Sequence, residues 1–147
     1  MKQALLNNLS AFIVHLVLIV FILSLLFVLK KSGLASELFP SAHILSFLTL
    51  VLYFLAGYLF SGTLFARYNN AFMTLLSVSG IFFIGVCIWF FCEANRGAWF
   101  AQLDYVLYVP FSSSLNELFK ISDYSSINLV YSVIPTVLIG SGIYSRT

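Results

Sequence analysis

An all-α membrane protein, with four transmembrane helices in an up-down-up-down bundle, is the fold class the sequence predicts. Three observations carry that reading. The 147 residues are 61% hydrophobic, 18% aromatic and only 8% charged, whereas soluble domains carry about 25% charged side chains. Mean hydropathy is +1.04. The apolar residues also collect into four runs, at about 9–29, 44–66, 71–92 and 124–144, each close to the roughly 20 residues a helix needs to cross hydrocarbon. No polar stretch has the size of a soluble domain, so residues 1–147 are expected to form one integral membrane domain.

The first run follows Lys2 and a polar Asn7-Asn8 pair, and Lys30-Lys31 closes it. It is too long for the core of a signal peptide, and the lysines separate it from the small residues near Gly33, so a retained first span is expected. The sequence Asn8-Leu9-Ser10 matches a glycosylation acceptor, but it sits at the lip of a membrane helix and is discounted. Gly33 and Pro40 bracket a short connector, the first stopping a helix and the second starting one.

The second and third runs are joined by little more than Arg67-Tyr68-Asn69-Asn70. At 1.5 Å per residue each gives about 33 Å of helix, so the two read as a transmembrane hairpin. Gly57-x-x-x-Ser61, Gly62-x-x-x-Ala66, Thr74, Ser77 and Gly80 supply small side chains that let membrane helices pack closely.

Glu93, Arg96, Asp104, Glu117, Lys120 and Asp123 cluster before the last run, and residues 97–122 within that region are expected to lie at the membrane surface. Trp99, Leu103, Val106 and Leu107 recur at helical spacing before Pro110, in a stretch too short to span. Ser114-Leu115-Asn116-Glu117 has the form of a capping box for a second short helix. Asp123 can cap the last span.

That last span carries the most distinctive pattern, with Asn128, Ser132, Thr136 and Gly140 at four-residue intervals and therefore on one face. Such a seam suits close helix packing, either within the chain or between subunits, and the alternative is a polar path along it. Pro135 removes the hydrogen bond to the Tyr131 carbonyl. His15 is the ionisable side chain set deepest in a span, about 9 Å below the edge of the first run. A buried packing histidine is the preferred reading, ahead of a proton carrier or ligand.

Chemistry of other kinds finds no support. Cys87 and Cys92 are five residues apart and point about 140° away from each other on one helix, so they are expected to be small apolar packing groups. No metal-ligand cluster, phosphate loop or carboxylate pair is recognisable, and neither cofactor nor metal site is expected. The net charge of +2 is scattered, which excludes nucleic acid as a partner. An intramembrane carboxylate, a redox cysteine pair and loop cysteine signatures, which mark several small four-span families, are missing, and no family resemblance is drawn.

Four spans put Lys2, Arg67 and Arg146 on one face and Lys30, Lys31, Arg96 and Lys120 on the other. The first face contains no acidic residue, so both termini are placed inside a bacterial cytoplasmic membrane, although the basic count alone leans the other way. The function expected is non-enzymatic, through contact with the lipid bilayer and with a membrane-protein partner or further copies of the chain. An accessory, regulatory or immunity-type subunit fits that description. A small transporter or channel along the last helix is the alternative, with an intramembrane enzyme third.

Overall fold

The computed structural model describes residues 2–33, 42–95 and 124–146, with backbone alone for residues 30, 42–43, 45–46, 91–95 and 124–130. The expected surface helices at 97–122, the Asp123 cap and the Asn128 side chain lie outside what is described. The described residues form five helices and no strand: α1 Lys2–Lys31, α2 Ala42–Phe60, α3 Ala71–Ser77, α4 Gly80–Asn95 and α5 Tyr124–Tyr144.

Helix α1 starts well before the apolar run because nothing in Lys2–Asn8 breaks a helix. Its 30 residues measure about 45 Å at 1.5 Å each. Among the described residues α1 alone is clearly fit, by length and composition, to cross a membrane, a test that a signal sequence also passes. Asn7, Ala11, Val14, Ile22 and Leu29 are buried along one side, with His15 and Ile19 beside them. Leu5, Leu9, Val17, Val20, Phe21, Phe27 and Val28 are exposed on its other sides.

Helix α2 ends at Phe60, six residues before the apolar run does. Gly62 takes a left-handed φ of 85°, a conformation that costs glycine little, and the chain closes into a tight turn. The Phe60 carbonyl accepts from the amides of Thr63, Leu64 and Phe65, and Gly62 N–H donates to the Phe65 carbonyl at 2.7 Å. Phe65 is fully buried beneath this turn. The Gly62-x-x-x-Ala66 spacing expected to pack helices therefore lies in the turn.

The third run is also not one rod, since α3 and α4 meet at 53°. At the break, Val78 and Ser79 donate their amides three residues back, to Leu75 and Leu76. The hydroxyls of Ser77 and Ser79 bond the carbonyls of Thr74 and Leu76, a competition with the helical ladder that bends helices. Asn70 caps the start of α3 by accepting from Phe72 N–H at 2.8 Å.

Helix α5 is the hub. It packs most extensively on α2, then on α4 and α3, while α1 touches its neighbours more sparingly. Pro135 and Ile139 are buried on one side of α5, and Ser132, Thr136, Gly140 and Ile143 on another. Among the described side chains of α5, only the strip Val133, Val137, Ser141 and Tyr144, with the Ser145–Arg146 end that follows it, is exposed. The outer surface is strongly apolar, with Phe27, Phe47 and Phe72 each 69% exposed. Such a surface calls for an apolar phase or partner to cover it.

Candidate functional site

Polar side chains gather where the start of α1, the 61–70 turn and the end of α5 meet. Asn7, fully buried, reads the backbone of one residue from both sides. Its Nδ2 donates to the Ala66 carbonyl at 2.9 Å, and its Oδ1 accepts the Ala66 N–H at 2.9 Å. The same Nδ2 donates to Ser77 Oγ at 3.1 Å. Asn8, 100° round the helix, accepts the Gly80 N–H at 2.5 Å, one of the donors left open where α4 begins. Neighbouring amides on α1 thus hold the turn and the α3–α4 elbow. A Cβ on Gly80 would come within 2.9 Å of Asn8 Oδ1, so glycine permits this approach.

Deeper in the bundle, Tyr53 Oη and His15 Nδ1 share a buried hydrogen bond of 2.7 Å, with the rings tilted at 59°. The phenol donates when the imidazole proton sits on Nε2, and the sense reverses in the other tautomer. The bond joins α1 to α2. Ser24, on the opposite side of α1, is exposed. The sequence offered His15 no partner because a tyrosine in an apolar run reads as packing.

The seam residues divide by neighbour. Gly57 lies against α5 so closely that a Cβ would run into the Ile139 carbonyl. Gly142, which the sequence reading did not single out, reciprocates: a Cβ there would meet the Phe54 carbonyl and come within 2.7 Å of Tyr58 N. The paired glycines bring the two backbones into direct contact. Gly140 faces elsewhere, toward α3, where a Cβ would lie 2.6 Å from Leu75 Cδ2. Ser132 is fully buried, and Ser61 Oγ donates to the Ile143 carbonyl at 3.4 Å.

Thr136 stands apart. It is 7% exposed, and its hydroxyl has no hydrogen-bond partner among the described residues. It lines an open groove of about 340 Å³ between the elbow and α5, walled by Phe72, Leu75, Phe82, Phe83, Val133 and Val137. Such a groove can take an apolar segment, and the Thr136 hydroxyl lies buried behind its apolar wall. Cys87 is a free, exposed thiol. No three His, Cys, Asp or Glu side chains converge among the described residues. Comparison with family models, curated proteins and solved structures finds no match to this chain.

Proposed function

We propose that the chain is a multi-pass integral membrane protein that works by helix contact, as an accessory, regulatory or immunity-type subunit. In this reading α1, α2, the bent α3–α4 pair and α5 are four passes in an up-down-up-down bundle, with both termini on the cytoplasmic side. The 19 residues of α2 and 21 of α5 give about 28 and 31 Å of helix, against a hydrocarbon thickness of about 30 Å. The apolar side chains exposed on α1, α2, α3, α4 and α5 support lipid as the surrounding phase.

The observation that carries the contact reading is the groove beside α5. Its walls are almost wholly apolar, and burying such a surface favours an apolar segment of a partner helix as the occupant. Within the seam Gly140 already faces α3 and Gly57 faces α5, so partner contact is assigned to the groove.

A photo-crosslinker at Val137, 43% exposed on the groove wall, should join a discrete membrane protein in native membranes. Val133→Trp, which fills the groove, should abolish that product. Thr136→Val should leave the isolated fold at least as stable, within about 0.5 kcal/mol, and should leave the crosslinked product in place. A crosslinking pattern unchanged by Val133→Trp would refute the assignment. Release of the chain from membranes by alkaline carbonate would refute the multi-pass reading separately.

Transport along a polar path is the second reading, favoured by the buried His15–Tyr53 bond together with fully buried Thr49 and Ser132. It requires flux through proteoliposomes that falls in Tyr53→Phe or His15→Leu.

A further inference from the structure

We infer that Arg67 and Arg146 form a binding site for the phosphate of an anionic phospholipid at the carbonyl end of α2. The inference rests on the multi-pass reading above. The last carbonyls of a helix lack intrahelical partners and carry about half a negative charge between them. Arg146 Nη1 donates to the carbonyls of Tyr58 at 3.1 Å and Leu59 at 3.0 Å. Arg67 donates from Nε to Ser61 Oγ at 3.1 Å and from Nη2 to the Ser61 carbonyl at 3.4 Å. Two full positive charges therefore stand on anchors that span residues 58–61.

Both side chains are held in place before any ligand arrives. The Arg67 guanidinium lies over Gly62, where a Cβ would come within 2.9 Å of Nη2, so the turn glycine also makes room for the cation. Arg146 Cζ sits 5.5 Å from the centroid of the Tyr58 ring, within the range of a cation–π contact. These bonds leave donors over. A guanidinium has five N–H groups, and the bonds described use only Nη1 of Arg146 and Nε and Nη2 of Arg67. Both arginines are exposed.

Among the described side chains no acid opposes them. The segments that meet at this end, 2–8, 58–72 and 142–146, contain no Asp or Glu, and exposed Lys2 adds a third cation. Planar guanidinium forks recognise phosphate oxygens bidentately. The apolar rim identifies a lipid as the source of that phosphate. Leu59 is 58% exposed and Leu64 49% exposed beside the arginines, so acyl chains can lie against the leucines while the headgroup meets the guanidinium donors.

The test uses the full chain in nanodiscs of equal phosphatidylglycerol and phosphatidylcholine, with retained lipids counted by native mass spectrometry. A basic side chain near an anionic surface is worth about a five-fold preference, so the pair should enrich phosphatidylglycerol roughly 25-fold. Arg146→Gln should reduce the enrichment about five-fold, and Arg67→Gln with Arg146→Gln should remove it.

Arg67 also braces the turn, so a second measurement uses the unaltered protein. In neutral detergent, short-chain phosphatidylglycerol should raise its melting temperature, and short-chain phosphatidylcholine should not. Equal retention of the two lipids, or an equal rise with inorganic phosphate, would overturn the lipid site. Failure of the chain to enter nanodiscs would instead overturn the multi-pass reading.

Discussion

Replacing Asn7 by leucine tests whether the polar end of the bundle holds the fold together. The change keeps the size of the side chain and removes three hydrogen bonds, two to Ala66 and one to Ser77. A side-chain hydrogen bond between membrane helices averages about 0.6 kcal/mol, and one in a soluble protein about 1 kcal/mol. Ser77 keeps its own bond to the Thr74 carbonyl at 2.8 Å, but the Ala66 amide and carbonyl both lose their side-chain partner. The expected loss is about 2–3 kcal/mol, roughly 30- to 150-fold in the folded-to-unfolded ratio.

Unfolding in mixed micelles with increasing denaturing detergent reads this loss directly. Gln3→Leu, at an exposed position on the same helix, serves as control and should shift stability by less than about 0.5 kcal/mol. Hydrogen exchange should quicken at the Ala66 amide in Asn7→Leu alone. Equal unfolding midpoints for the two variants, with unchanged exchange at Ala66, would refute the role given to Asn7.

The paired glycines should respond differently from the seam glycine. Gly57→Ala and Gly142→Ala drive a methyl into backbone and should each cost about 1–3 kcal/mol, whereas Gly140→Ala meets the movable end of Leu75 and should cost less. Equal midpoints for all three would show that α2 and α5 are not in backbone contact. For the buried pair, Tyr53→Phe and His15→Leu should be non-additive. A double-mutant cycle should return a coupling of about 0.6–1.7 kcal/mol, and simple additivity would dismiss the His15–Tyr53 bond as a source of stability.

Helical identity was legible because long apolar runs with few charges and few breakers suit helices. Gly57 and Ser132 were legible as packing positions for the same reason, since small residues in an apolar run have few other uses. Run length failed where the chain stays apolar but ceases to be helical. Nothing in Ser61–Ala66 looks polar enough to stop α2, and the cause is a backbone angle at Gly62 together with Arg67 folding back on Ser61. The elbow escaped notice because Val78 and Ser79 are neither glycine nor proline. Asn7 and Asn8 read as a flank, since a one-dimensional pattern cannot show an amide meeting backbone 59 or 72 residues away.

That separation has a consequence for biosynthesis. A ribosome delivers Asn8 long before Gly80, and at about 5–20 residues per second the wait is on the order of ten seconds. Throughout it the newborn first helix carries two amides whose eventual mates do not yet exist. In the multi-pass reading it must meanwhile stay where water can reach those groups, or be sheltered by an insertion factor, and its final depth is settled only once Gly80 has been made.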